Sequence, residues 1–426
     1  MSSGTDAPTA QATGVADALL DPERVMAALP PQAVATLCDG LAGTALLHAC
    51  LAQYRPEFAT AAADHWKAAA DLQAGTPPDG IHTGPGALAA SLIVGTGYLP
   101  DPGRHRETVE SATAWLSARA EGLARHQRRR ANSERPGTPW AVYDAIKGLT
   151  GVGRVLLAAH TAGHHDAADR GLTAALTTLT ALIHTRYGSR PGWWLPAVDH
   201  PPPVTVHPSG AATTGLAHGI AGPLAFLASA HTAGRTVAGQ PEAIRTAASW
   251  LLSWQEPTAS WPTFVSGNDL DVPPAREARR RAPGRGDAWC YGSPGIGRAL
   301  ALAGNALAEP ALTGAGHDAI AALGDRDRGP GRWDTEGPTL CHGSAGVLQA
   351  AARAGCWAVA RQAADRTAGF HDHRRPFRFP HVKAGARYDN PGFLTGATGI
   401  ALALADYSGL LPSSPAASWD CLLLLS

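Results

Sequence analysis

The six cysteines of this 426-residue sequence, Cys38, Cys50, Cys290, Cys341, Cys356 and Cys421, are few and widely scattered. That spacing excludes the dense disulfide framework of a small secreted domain. Neither charge sign is in excess, since Lys+Arg and Asp+Glu are 35 each. A nucleic-acid footprint or a basic membrane anchor needs such an excess, so neither partner is expected. Residues 1–16 have no basic cluster and no apolar segment, so no secretory signal is expected. No run of 18 or more uncharged apolar residues occurs. The apolar stretch 216–230 is broken by His218, Gly219, Gly222 and Pro223 and fits a buried helix better than a membrane span. A cytoplasmic protein without an integral membrane segment is the expectation.

Glycine is abundant, with 48 residues, and it falls in a pattern. Gly40-Leu-Ala-Gly43 is echoed by Gly148-Leu-Thr-Gly151, Gly219-Ile-Ala-Gly222, Gly292-Ser-Pro-Gly295, Gly343-Ser-Ala-Gly346 and Gly396-Ala-Thr-Gly399. A further copy, His82-Thr83-Gly84-Pro85-Gly86, has Thr83 in place of its first glycine. The seven copies lie 43 to 73 residues apart, and each leads into an Ala/Leu-rich run. These runs carry small and aliphatic residues on several faces, the mark of a helix buried on all sides. More polar helical candidates, such as 241–254 and 353–368, lie between them. The repeat unit is therefore an outer half-exposed helix, a glycine loop and an inner buried helix. Glycines at the start of the inner helix allow tight turns and close backbone approach.

Seven such pairs predict an all-α fold, an α/α toroid, in one domain over 23–426. Residues 1–22 are expected to form a disordered tail. The long third and fourth spacings are expected to hold inserted segments, one of them around Trp193-Trp194. Those tryptophans read as a substrate-facing wall or as core, with core preferred. The apolar stretch 419–425 is expected to pack in a groove of the core.

A toroid brings its seven glycine loops together at one end, so residues remote in sequence meet there. Cys290 and the pair Cys341-His342 then become neighbours in the fifth and sixth units. Two thiols and an imidazole suit Zn²⁺, and three protein ligands leave a fourth position open for chemistry. The alternative is a pair of buried apolar thiols, and no standard Cys-x-x-Cys finger decides between the two readings. His218, at the position that Tyr291 holds in the next unit, is a candidate acid or base, or else a hydrogen-bonded core histidine. Asp144 reads as an orienting carboxylate for a base, or as a helix cap or ion pair. Tyr291 is a hydrogen-bond donor near the metal or a barrel plug. Arg285 and Asp287 flank Cys290 and read first as a solvated loop. His48, His82, His207 and His381 are given surface or core roles, although His82 shares the repeat position of His342.

The motifs Gly215-Leu216-Ala217-His218-Gly219, Trp289-Cys290-Tyr291-Gly292-Ser293-Pro294-Gly295 and Cys341-His342-Gly343 together resemble those of the lanthionine synthetase C-like cyclases. The likeness runs along nearly the whole chain. It implies a double seven-helix barrel and a free-standing class I lanthipeptide cyclase. Such an enzyme adds precursor cysteine thiols to dehydroalanine or dehydrobutyrine, forming lanthionine or methyllanthionine. The resemblance implies that Cys290, Cys341 and His342 bind one Zn²⁺ and that His218, Asp144 and Tyr291 occupy active-site positions. The family's active-site arginine stands four residues before the first zinc cysteine. That place is Gly286 here, and Arg285, one residue earlier, is the candidate for the role. The implied partners are a dehydrated precursor peptide and a dehydratase. Three rivals stand beside this reading: an enzyme adding glutathione to dehydroamino acids, an α/α-toroid prenyltransferase, and a non-catalytic zinc-stabilised scaffold that holds a modified peptide. A prenyltransferase is expected to use a carboxylate zinc ligand, which the Cys-Cys-His set lacks.

Overall fold

A computed structural model describes residues 6–73, 75–77, 79–133, 135–272, 286–326, 333, 335–412 and 417–426. Each glycine motif opens a helix: Leu41–Leu51, Pro85–Gly95, Leu149–Thr161, Ala221–Thr232, Ser293–Leu307, Ser344–Arg353 and Ala397–Tyr407. Every residue of Leu41–Leu51 is buried, as its all-round apolar sequence requires. Each of these helices touches the next in chain order, and the last touches the first, so they close a ring. The helices Pro56–Leu72, Arg106–Asn132, His165–His184, Gln240–Ser253, Pro310–Arg326 and Trp357–Ala368 follow the first six and pack on them from outside. These outer helices bury one face. Pro56–Leu72 buries Phe58, Ala61, Ala62, His65, Trp66 and Ala69, a stripe at helical spacing. This is the double seven-helix toroid, with the core lying between its two rings.

The seventh outer helix comes from the other end of the chain. Asp6–Ala18 packs on Ala397–Tyr407 and completes the outer ring. Ala12, Val15, Ala16 and Leu19 are fully buried, and their spacing is that of a single helix face. The expected disordered tail is therefore corrected from Asp6 onward, whereas residues 1–5 lie outside the described residues. The physical reason is arithmetic. Seven inner helices need seven covers, and only six outer helices lie between them in sequence. His48, deep in the first inner helix, bonds through Nε2 to the Leu19 carbonyl at 2.9 Å and anchors the end of this N-terminal segment.

The other terminal segment enters the inner ring. Trp419–Leu423 forms a buried 3-10 turn. Arg154 of the third unit and Arg298 and Trp289 of the fifth donate to the carbonyls of Ser426, Leu425 and Leu423 at 2.9, 2.7 and 2.9 Å. Asp420 Oδ2 accepts from Arg353 Nε at 2.6 Å and from Gln349 at 2.8 Å, so its buried charge is paired. The groove expected for this stretch is the interior of the ring itself.

The inserts build small antiparallel sheets. The strand Ala211–Thr213 lies between Trp194–Leu195 and Phe264–Ser266, with Ala212 opposite Trp194 on one side and Val265 on the other. Trp193 and Trp194 are buried there, and Trp193 meets Trp250 edge-on at 5.1 Å, so both act as core. A hairpin, Pro380–Lys383 with Ala386–Asp389, precedes the seventh inner helix. No described helix is long and apolar enough to cross a membrane.

Candidate metal centre and its acid–base neighbour

The second glycine of each motif packs on its own loop. A β-carbon at Gly43, Gly86, Gly151, Gly222, Gly295, Gly346 or Gly399 would overlap the carbonyl oxygen six residues earlier. Only glycine lets the helix start lie flat on the preceding loop. The loops are then stitched to each other by backbone hydrogen bonds around the rim. Cys38 N donates to His82 O, Ile81 N to Ile146 O, Ala145 N to Ala217 O and Ala217 N to Cys290 O. Further links run from Cys341 N to Leu394 O and from Leu394 N to Cys38 O, both at 2.9 Å, and among the described residues the fifth and sixth loops are the neighbours without such a backbone link. Backbone pairing of this kind fixes the side chains that the loops carry. Convergence at one rim, expected from the repeat, is thus achieved through the main chain.

Cys290, Cys341 and His342 meet at the junction of the fifth and sixth units. Their ligand atoms all lie within 4.8 Å of one another. His342 Nε2 is 3.2 Å from Cys290 Sγ and 3.9 Å from Cys341 Sγ. Tetrahedral zinc, with bonds of about 2.0–2.3 Å to nitrogen and sulfur, places its ligand atoms roughly 3.5 Å apart. The cluster fits that spacing, and its chemistry fits a borderline-soft cation. A hydrogen bond with Cys290, and then burial, push the Cys341 thiol well above its ordinary pKa. A bound cation relieves that crowding by stabilising both sulfurs as thiolates. Burial opposes charge on His342, but the hydrogen bonds and charges of Cys341 and Glu336 outweigh it and raise its pKa to about 9.

Glu336 was not singled out by sequence reasoning. Its Oε2 lies 2.9 Å from His342 Nδ1 and 3.5 Å from His381 Nε2. Burial works against this carboxylate's charge, but the hydrogen bond with His342 and the nearby imidazole of His381 outweigh it and hold it below the usual carboxylate range. His381, given only a surface or core role from sequence, therefore belongs to the surroundings of the metal centre. Glu336 sits six residues before His342, within a loop that reads as turn-forming, and no spacing rule marks it.

On the neighbouring loop, His218 Nδ1 is 2.6 Å from Asp144 Oδ2. Asp144 is almost wholly buried, and its Oδ1 accepts from the backbone N–H groups of Ile146, Lys147 and Gly148 at 3.1, 2.7 and 2.9 Å. Those N–H groups belong to the turn that leads into the helix Leu149–Thr161. One oxygen thus holds the turn that precedes the helix, and the other meets an imidazole. Trp140 stacks on His218 with centroids 4.8 Å apart and an interplanar angle of 15°, and Phe264 is parallel to Trp140 at 6.3 Å. Tyr143 Oη donates to the His218 carbonyl at 3.0 Å. With Nδ1 taken by Asp144, Nε2 is the nitrogen left to exchange a proton. Tyr291 follows Cys290 in sequence, and its ring lies 6.0 Å from that of His218.

His82, which shares the repeat position of His342, is fully buried, and burial first, then the charge of His218, lower its pKa to about 4. It is a neutral core imidazole. Arg285 lies outside the described residues. Gly286, at the family's arginine position, uses its carbonyl to accept from Ser293 N at 2.9 Å. Asp287 is buried rather than solvated, which corrects the loop reading for that residue.

Comparison with known proteins agrees with this geometry. The profile of the family described as "Lanthionine synthetase C-like protein" matches residues 32–424. No curated protein sequence matches the chain. Among solved structures, one described as "Nisin cyclase" superposes with a TM-score of 0.72 at 18% sequence identity, covering 92% of this chain and 93% of that one. At that identity the likeness speaks for the fold, which is shared over most of both chains. With the ring of inner helices closed and the profile spanning all seven glycine motifs, the chain belongs to the lanthionine synthetase C-like family.

Proposed function

We propose that the chain is a zinc-dependent lanthipeptide cyclase. It would add cysteine thiols of a dehydrated precursor peptide to dehydroalanine or dehydrobutyrine, closing lanthionine and methyllanthionine rings. The observation that carries this reading is the juxtaposition at one rim of a Cys-Cys-His cluster and an imidazole held by a buried carboxylate. A scaffold that merely grips a peptide needs the first and has no use for the second. Family membership supports the same conclusion.

Cys290, Cys341 and His342 would hold the zinc. When bound, it supplies an open cationic position at which a thiol of ordinary pKa, about 8.5, is deprotonated at neutral pH. The net reaction is addition with no leaving group. A C–S bond forms at Cβ, the π electrons move toward Cα, and Cα takes up a proton. His218 moves that proton at Nε2, receiving one as the thiol is consumed and delivering one to Cα. Asp144 keeps Nδ1–H directed at itself, so that Nε2 is the working nitrogen, and it stabilises the imidazolium. Trp140 limits the tilt of the ring by stacking on it. Tyr291 is assigned a hydrogen bond to the same corner, and Arg285 is assigned the family's arginine role. A dehydratase must act first on the precursor's Ser and Thr residues, because the acceptor alkene arises by loss of water.

The test is incubation with a dehydrated precursor followed by a thiol-alkylating reagent and mass spectrometry. Wild type should render the cysteines resistant to alkylation without a change of peptide mass, and Cys341→Ala should leave them reactive. Equal protection by the two proteins sinks the proposed mechanism. A mass increase equal to glutathione, when that thiol is supplied, would favour the glutathione-adding reading.

A further inference from the structure

Three side chains outside the ligand set converge on the far side of His342. Glu336 Oε2 lies 2.9 Å from His342 Nδ1, and His381 Nε2 lies 3.5 Å from the same oxygen. Thr335 Oγ1 donates to the His342 carbonyl at 2.9 Å. Glu336 and His381 come from different elements, the loop before the sixth inner helix and the strand Pro380–Lys383. The two elements are also joined by Val382 N donating to the Glu336 carbonyl at 3.3 Å. The hairpin is thus docked on the ligand loop through both backbone and side chains.

From this arrangement we infer that Glu336 is a positioning residue for the metal centre and that His381 braces it. This rests on the zinc reading of the Cys290–Cys341–His342 cluster. An imidazole binds a cation through one nitrogen only, and that nitrogen must carry the lone pair. His342 Nε2 already faces the two sulfurs, so the proton must reside on Nδ1. A carboxylate beside Nδ1 stabilises that tautomer, fixes the plane of the ring and makes Nε2 a stronger donor. The carboxylate itself needs a fixed position. His381 holds it from the hairpin side, at ion-pair distance, so the hairpin becomes a strut for the metal ligand. Side chains in that supporting role carry a known effect, a 10–100-fold change in metal affinity on removal.

The experiment uses the full-length protein and zinc alone, in competition with a chromophoric chelator. Wild type, Glu336→Ala, Glu336→Gln and His381→Ala are compared, and helical circular dichroism is recorded for each. Glu336→Ala should weaken zinc binding by about 10–100-fold. Glu336→Gln, which keeps an acceptor for Nδ1–H but not the charge, should recover part of the loss. His381→Ala should fall between wild type and Glu336→Ala. With Co²⁺ in place of Zn²⁺, the visible absorption bands of Glu336→Ala should shift relative to wild type, because the ring is no longer held at a fixed angle. Unchanged zinc affinity and an unchanged cobalt spectrum in folded Glu336→Ala would overturn the inference. Should that variant not fold, the same two readings on Glu336→Gln decide it. A wild-type protein that binds neither metal would overturn the zinc reading itself, a result distinguishable from the first.

Discussion

Asp144 illustrates how one side chain serves two structures. Its Oδ1 gathers three backbone N–H groups and its Oδ2 holds His218. Asp144→Asn can keep the first duty, but its amide would present a donor to Nδ1 and favour the wrong tautomer. The expected outcome is a cyclisation rate lower by about 10²–10⁴-fold with little change in thermal stability, read by single-turnover mass spectrometry. His218→Ala should lose a similar factor, and the double variant little more than either, because the two act as a unit. At this scale the sequence was informative where the repeat aligned residues. Cys290, Cys341, His342 and His218 all occupy matching places beside a motif glycine. Trp140, Glu336 and His381 stand in a short helix, a loop and a hairpin strand outside the repeat pattern, and only the folded chain brings them to the same rim.

The helix-starting loops owe their shape to glycine, and two substitutions separate that role from general helix propensity. A β-carbon at Gly346 would overlap the Leu340 carbonyl and press on Trp289, and neither neighbour is a flexible side-chain end. Gly346→Ala should therefore destabilise the protein by about 3 kcal/mol. It should also weaken metal binding, since Leu340 precedes both sixth-unit ligands. Gly314 lies within the outer helix Pro310–Arg326 with nothing near its missing β-carbon. Gly314→Ala should stabilise by roughly 0.5–1 kcal/mol. Chemical denaturation of both variants checks the contrast, and a stable Gly346→Ala would contradict the packing account. The inner helices were legible from their unbroken apolar runs. The seventh outer helix was not, because Ser, Thr and Ala dominate the first residues, and its four-residue stripe matters only once the ring is seen to lack a cover. Removal of residues 1–20 should expose the inner helix Ala397–Tyr407 and lower the melting temperature markedly.

Across the whole molecule, histidines buried without charge set the acid limit of stability. Burial first, and the nearby His65 charge second, lower the pKa of His48 to about 3, and His82 is lowered to about 4. Both lie below the unfolded value of about 6.5. Between the folded and unfolded values the unfolded chain binds more protons, so stability rises with pH there and is lost as pH falls. The melting temperature should fall steadily from about pH 6.5 toward pH 4, before most carboxylates titrate. His48→Gln, which can still donate to the Leu19 carbonyl, should make that fall shallower. The same separation of stability from chemistry applies to the metal. The toroid is held by two rings of helices, backbone hydrogen bonds between most neighbouring loops and a buried terminal segment, none of which needs a cation. The most direct measurement is therefore ring formation on a dehydrated precursor by chelator-stripped protein, with helical circular dichroism recorded on the same sample. The account predicts an intact helical signal, loss of ring formation and its recovery on adding one equivalent of Zn²⁺. Ring formation at the full rate without metal, or collapse of the helical signal on its removal, would contradict it.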